Sequence, residues 1–424
     1  MKTTRTPAFA KASTVALPAA PKLRRTGRAM VDKSAGRQNL LAAALAGVLA
    51  AAGGASQALA QNIEPTAYWN RIQEKDSLER VWEAFRLYDD KENSVMQEFS
   101  LIGRYHGQYW SVNADQGSAD GWENRRFYLG VETVLFHDFT VQAQIKVSED
   151  FDPFYDGLYQ AFVKWSPSEA FSLSAGRLDF LYAGLERTVS STKIVTFERG
   201  LLANQLLPGE VVGAVAQGKS GDSSYRAGIF SGSIEQEFTS FAGGFGAVAG
   251  VGRELPLFYT GGSLHLDYLY NNGNPANNAL EPYGHILSLW HQGRSGPFGL
   301  GVELMAGHGT EGRNSVFGVT VLPTYVLGKD LVHKGDALKA VLRYQYAVSD
   351  GDNGLDLPQR YEQEVVPGGL GNAYHAVYAG LNYLIFGDRF KLMTGAEYST
   401  MKDSAPGHDS FNGWTFFSGV RVYF

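Results

Sequence analysis

The sequence predicts an all-β fold: a transmembrane antiparallel β-barrel of about sixteen strands, with a short N-terminal helical prologue and an inward-folded third loop. Three observations lead there: a period of two after residue 96, a secretory leader before it, and an aromatic carboxy terminus. In the last segment Trp414, Phe416, Val420, Val422 and Phe424 share one face. Thr415, Gly419, Arg421 and Tyr423 share the other, with Phe417 among them. Side chains alternate sides along a strand, so one face is apolar and the other wet. Roughly ten such residues span a bilayer when tilted.

Residues 1–60 read as a signal peptide. They carry nine Lys or Arg against the single acid Asp32, then the apolar run Leu40 to Ala52 and the small-residue site Ala58-Leu59-Ala60. That is the order of a cleaved export signal, and the long basic stretch makes Met30 an alternative start. The apolar run is too short for a spanning helix. The whole chain carries −6, which leaves −14 on residues 61–424 and argues against nucleic-acid partners. There is no cysteine, so disulfide frameworks and thiolate metal sites are excluded. With no apolar run of eighteen residues in the mature part, any membrane crossing falls to strands.

Residues 61–96 read as a segment at the barrel rim or in the periplasm. Leu78, Val81, Trp82 and Phe85 recur at helical spacing between Asp76 and Tyr88, and Asp76 with Glu79 resembles a capping box. From 97 to 424 the period is two. Phe127, Leu129, Val131 and Leu135 alternate with Arg126, Tyr128, Gly130 and Glu132. Phe139, Val141, Ala143, Ile145 and Val147 alternate with Thr140, Gln142, Gln144, Lys146 and Ser148. Leu338, Ala340, Leu342, Tyr344 and Tyr346 oppose Lys339, Arg343 and Gln345, and Phe390, Leu392, Ala396 and Tyr398 oppose Lys391, Gly395, Glu397 and Ser399. The pattern predicts strands at 97–111, 123–135, 139–148, 157–165, 170–179, 209–218, 224–232, 241–251, 257–270, 283–292, 297–307, 316–327, 336–348, 374–386, 390–400 and 413–424. Short turns such as 136–138, 166–169, 220–223, 294–297 and 387–389 alternate with long polar connections near 112–122, 149–157, 181–208, 233–240, 271–282, 308–315, 350–372 and 401–412. Aromatics such as Tyr105, Tyr109, Trp110, Trp165, Tyr268 and Tyr344 cluster near strand ends, as interfacial girdles require.

Motifs for a catalytic serine, a zinc protease helix or a phosphate-binding loop are missing, so no enzyme and no cofactor or metal is expected. The candidate site lies in the lumen. The parity that sends Phe99, Leu101, Tyr105 and Tyr109 to lipid sends Arg104, His106 and Gln108 inward, and Arg126 inward on the next strand. Arg125 has the opposite parity but is expected at the strand start, where it can reach a rim or bend inward. Such arginines either attract anions in a pore neck or balance lumen acids such as Glu132, Glu303 and Glu397. The connection 181–210 is too apolar to lie in water, so it is expected to fold inward and present Lys193, Glu198 and Arg199 near the neck.

On these residues the chain resembles the phosphate-selective porin O and P family. The matching pieces are Ile102-Gly-Arg104, Asn124-Arg-Arg-Phe-Tyr-Leu-Gly-Val-Glu132, His137-Asp-Phe139, Gly176-Arg-Leu178, Gly184-Leu-Glu-Arg-Thr-Val-Ser-Ser191 and Phe197-Glu-Arg199, specific over about 97–232. The resemblance implies a sixteen-stranded, trimeric anion channel of the Gram-negative outer membrane. Its paired-arginine neck would map onto Arg125 and Arg126, with Arg104 beside them. The partners implied are small hydrophilic anions such as phosphate, outer-membrane lipid, the barrel-assembly machinery that reads an aromatic carboxy terminus, and further copies of the chain. The family lysine after the Ser-Ser pair is Thr192 here, with Lys193 one place late. The expectation is therefore a general or weakly anion-preferring diffusion porin, with pore residues Arg104, Arg125, Arg126, Lys193 and Arg199. The alternatives are a substrate-specific channel for sugars or organic or aromatic acids, with Trp110, Phe162 and Phe417 as a track, and more distantly a barrel enzyme.

Overall fold

The computed structural model describes residues 72–73, 77–234, 236–256, 261–280, 283–358, 360–402 and 411–424. The expected leader, 1–60, and the capping residue Asp76 lie outside the described residues. A helix α1 (Ser77–Glu83) leads into a short strand β1 (Arg86–Asp89). The wall then begins with β2 (Met96–Ala114), β3 (Gly117–Leu135), β4 (Phe139–Val147), β5 (Tyr155–Ser168), β6 (Phe171–Asp179), β7 (Glu210–Ser220), β8 (Ser223–Ser231) and β9 (Phe245–Glu254). It continues through β10 (Gly261–Asn271), β11 (Tyr283–Ser295), β12 (Phe298–Gly309), β13 (Val316–Lys329) and β14 (Ala337–Ser349). The two-residue strands β15 (Leu355–Asp356) and β16 (Leu370–Gly371) pair with each other inside one long connection. The wall ends with β17 (Ala373–Phe386), β18 (Phe390–Lys402) and β19 (Phe411–Tyr423).

Each wall strand pairs antiparallel with the next, and β19 returns to β2 with Tyr423 opposite Arg104, so sixteen strands close a barrel. Closure satisfies every edge, which lipid demands because no water reaches an unpaired peptide group there. Burial is inverted relative to a soluble core. Leu342, Val251 and Trp414 are 52%, 59% and 47% exposed on the outside, whereas Lys391, Arg421 and Arg343 are 0%, 2% and 3% exposed inside. That is the expected division between an apolar belt and a polar lumen.

Several expectations need correction. The segment 112–122 is not a long loop: β2 and β3 continue to a two-residue turn at Asp115 and Gln116, with Ser111 opposite Asp120. Toward its tip the ribbon is exposed at Asn113 and from Asp115 to Ser118, so the apolar alternation fades there while backbone pairing persists. The strand expected at 241–251 starts later, because Phe241–Gly243 form a 3-10 turn before β9. The stretch 257–260 lies outside the described residues. The helix expected through Tyr88 stops at Glu83, because β1 pairs with β2, Asp89 opposite Glu98.

β1 takes up the edge of β2 below the point where β19 ends. Phe424 exchanges backbone hydrogen bonds with Gly103, and the next bond along β2 runs from the Leu101 amide to Phe85. The Phe85 and Phe424 rings stack at 3.8 Å, and the Trp82 indole donates to the Tyr423 carbonyl at 2.6 Å. Gly103 leaves room for this packing: a Cβ there would lie 2.6 Å from the tip of the Phe424 ring, which would have to shift.

Candidate pore site

The connection between β6 and β7, the third at the long-loop end, folds into the lumen and supplies much of the hydrophobic core. Phe180, Phe197, Leu201, Leu206 and Leu207 are all within 5% exposure. The short helix α2 (Leu201–Leu206) lies within it. Its apolar side chains cannot stay in water, and its backbone must find partners once inside. Wall carboxylates and amides provide them. The Gly184 amide donates to Asp267 at 3.0 Å, Leu185 to Glu303 at 3.0 Å and Leu201 to Gln345 at 2.8 Å.

Buried charge pairs fasten the same loop. Arg343 on β14 reaches Glu186 of the loop and Glu397 of β18, each at 2.8 Å, and donates to the Glu198 carbonyl at 2.7 Å. Arg187 holds Asp179 at 3.3 Å. Arg199 turns back on its own loop, donating to the carbonyls of Glu186 at 3.0 Å and Val189 at 2.7 Å.

Arg125 is not at a strand start. It is the extra residue of a β-bulge in the middle of β3, where His106 faces Arg126 but the next residue, Gly107, faces Asn124. A bulge places two successive side chains on one face. Arg125 and Arg126 therefore both point into the lumen. Arg125 grips Glu198 bidentately at 2.6 and 3.0 Å, and Arg126 lies 3.9 Å from the same carboxylate. Burial alone would raise the Glu198 carboxyl, but Arg125 and then Arg126 hold it well below the usual carboxylate range.

Among the described residues Arg104 has no acidic partner within ion-pair distance. It donates to Ser191 Oγ at 2.8 Å and the Tyr159 hydroxyl at 3.3 Å, with its guanidinium 4.8 Å from the Tyr159 ring. Arg421 likewise spends its donors on carbonyls, Phe197 at 2.6 Å and Ser191 at 3.4 Å. Among the described residues His106 has both ring nitrogens buried without a partner, as are Arg126 Nη1 and Arg421 Nε. Arg104, Arg125, Arg126 and Arg199 thus gather around the loop. Lys193 does not join them: it is exposed on a stretch whose neighbour Ile194 is held by Lys391 at 3.0 Å. Arg343, Arg421 and Glu186 carry the docking and were not nominated from sequence, although Arg343 and Arg421 had the wet-face parity.

A second connection, between β14 and β17, also enters the lumen, which the sequence reading did not anticipate. The Tyr361 hydroxyl meets Glu123 and Gln108 and lies 3.4 Å from Glu198, and Arg360 pairs with Glu123. The Tyr361 ring packs between Trp110 at 5.3 Å and Phe417 at 5.2 Å, and Phe417 stacks on Phe197 at 5.0 Å. Trp110 is therefore a lumen residue and no part of a girdle. Trp110 and Phe417 pack on loops and do not line an open track.

Comparison with known proteins agrees with this architecture. Residues 99–281 match the model of the phosphate-selective porin O and P family. The matched segment belongs to that family. No curated protein sequence matches the chain. Among solved structures the chain is similar to an anion-selective porin from Comamonas acidovorans, at 13% identity and a TM-score of 0.52, covering 77% of this chain and 99% of that one. It is similar to Salmonella typhi OmpF in complex with daunomycin, at 13% identity and 0.52, covering 77% and 98%. A Pseudomonas putida OprB structure gives 10% identity and 0.51, covering 77% and 94%. At these identities the solved structures establish the fold, and together with the family match over residues 99–281 they support a passive channel of the outer membrane.

Proposed function

We propose that this porin passes small hydrophilic solutes by passive diffusion with a weak preference for anions, across a neck formed by Arg104, Arg125, Arg126 and Arg199 beside the third loop. The single observation that carries the preference is the charge imbalance there. Arg125 and Arg126 share the single carboxylate of Glu198, while Arg104 and Arg421 spend their donors on hydroxyls and loop carbonyls. Fixed guanidiniums in a narrow, partly dehydrated passage favour anions over cations. A purely charge-balancing role fits Arg343, which holds Glu397, better than it fits Arg104 or Arg421. Lys193, being exposed, is proposed as a contributor to the field below the neck and not as a ligand.

The mature protein is proposed to begin after Ala60, to insert through the barrel-assembly machinery by way of its aromatic terminus, and to act as a homotrimer without a cofactor. Phosphate is one candidate permeant. The test is the reversal potential of the reconstituted channel under a KCl gradient. A sign showing chloride ahead of potassium is expected; potassium preference would reject the anion reading, and no conductance would reject the diffusion pathway.

A further inference from the structure

We infer that the connection between β14 and β17 is a lid, docked over the lumen in this structure and released as the medium becomes alkaline. The proposal rests on the lumen being the solute path. It concerns a different segment from the third loop, and the two are held in different ways.

The lid is a body of its own. β15 pairs with β16, the Leu357 amide donates to the Gly369 carbonyl at 2.9 Å, and Gln363 reaches the Leu357 carbonyl at 2.8 Å. Its two ends join β14 and β17 at the long-loop end. Leu357, Tyr361 and Val366 are 1–3% exposed while it is docked. The third loop is clamped by the fully buried Arg343–Glu186 pair; the lid is held by the half-exposed Arg360 on Glu123, by Arg313 on Asp356 at 2.6 Å, and by the Tyr361 hydroxyl against Glu123 and Glu198.

The weak point is Glu362, within the short helix α3 (Glu362–Val365). It is 3% exposed, and its hydrogen bond is from the Thr415 hydroxyl at 3.4 Å. The groups around it are Glu397 on β18, Arg343 on β14 and Tyr374 on β17, with Glu123 and Arg125 of β3 and Glu198 of the third loop about the adjacent Tyr361. Arg343 is already committed to Glu186 and Glu397. An ionised Glu362 would be a third carboxylate around one guanidinium, without a cation of its own. Burial, and then Glu397, push its carboxyl up to about 8. The docked lid therefore retains a proton that a hydrated lid would release. Docking is at full strength below the ordinary value of 4.5 and weakens by about tenfold per pH unit as the pH rises toward 8.

The native chain has no cysteine, so a single introduced thiol reports on the lid without background. Val366→Cys, buried in the docked lid, is reacted with a maleimide in detergent and in vesicles between pH 5 and 9, alone and combined with Glu362→Gln. After correction for thiolate fraction, labelling is expected to accelerate at least tenfold across that range with Glu362 present and to stay flat with Gln. Single-channel recordings of the native protein should show briefer closures at pH 9 than at pH 5, and Glu362→Gln should remove that dependence. Equal corrected labelling rates in the two backgrounds would overturn the lid. Because labelling needs no current, an absence of conductance with pH-dependent labelling would fault the diffusion reading and leave the lid standing.

Discussion

Replacing Arg126 by Ala removes one positive charge from the lumen without taking away the bidentate partner of Glu198, which is Arg125. The side chain of Arg126 is 10% exposed, and its Nη1 has no hydrogen-bond partner among the described residues. An ion passing roughly 6 Å away in an aqueous lumen feels about 0.7 kcal/mol from a unit charge at a dielectric constant near 80. Screening over a Debye length of about 10 Å in 0.1 M salt roughly halves that, to about 0.4 kcal/mol. The same charge that attracts chloride repels potassium, so the ratio of their permeabilities moves by about 0.8 kcal/mol, or about fourfold toward cations. The assay is the zero-current potential in a tenfold KCl gradient, native against Arg126→Ala, repeated at higher salt where the difference should shrink. Glu198→Gln supplies the opposite sign, raising chloride preference while loosening Arg125. An unchanged potential in Arg126→Ala would return that arginine to a purely structural role and refute the assignment of the neck.

The remaining predictions concern the loops and the seam. Arg343→Ala leaves Glu186 and Glu397 buried without their cation; breaking such pairs costs about 3–5 kcal/mol, so the third loop should detach, seen as larger, noisier single-channel steps. Tyr361→Ala removes the ring between Trp110 and Phe417 together with its hydrogen bonds. It should shift the channel toward the open level at every pH, and a native closure pattern would contradict that. Phe85→Ala deletes the stack on Phe424; a loss of about 2 kcal/mol is expected at the β19–β2 seam, read as a lower temperature for the heat-induced gel-mobility shift.

The barrel was legible in the sequence because lipid and lumen impose a strict period of two. Sixteen strands were expected and sixteen form the wall, most ends within four residues and β3 starting six earlier, and the wet-face parity alone put Arg104, His106, Arg126 and Arg343 inside. The inward third loop was legible too, since Leu185, Ile194, Phe197 and Leu201 could not remain in water. Legibility failed where backbone geometry or long-range partners decide. Parity assigns Arg125 to the wrong face, because an inserted residue shifts the register without changing composition. The second inward loop is mostly polar and glycine-rich between Asp350 and Asn372, so nothing local distinguishes it from a solvated connection.

By itself, then, the sequence determined a closed, outward-apolar wall, since one residue per pleat must suit lipid and the next must suit water. Only the tertiary structure decided which charges share a neighbourhood. Arg125 with Glu198, and Arg343 between Glu186 and Glu397, are separated by 54 to 157 positions along the chain. Pairing at that distance depends on where the loops come to rest, because a charge moved out of water is tolerable only where the fold supplies its partner.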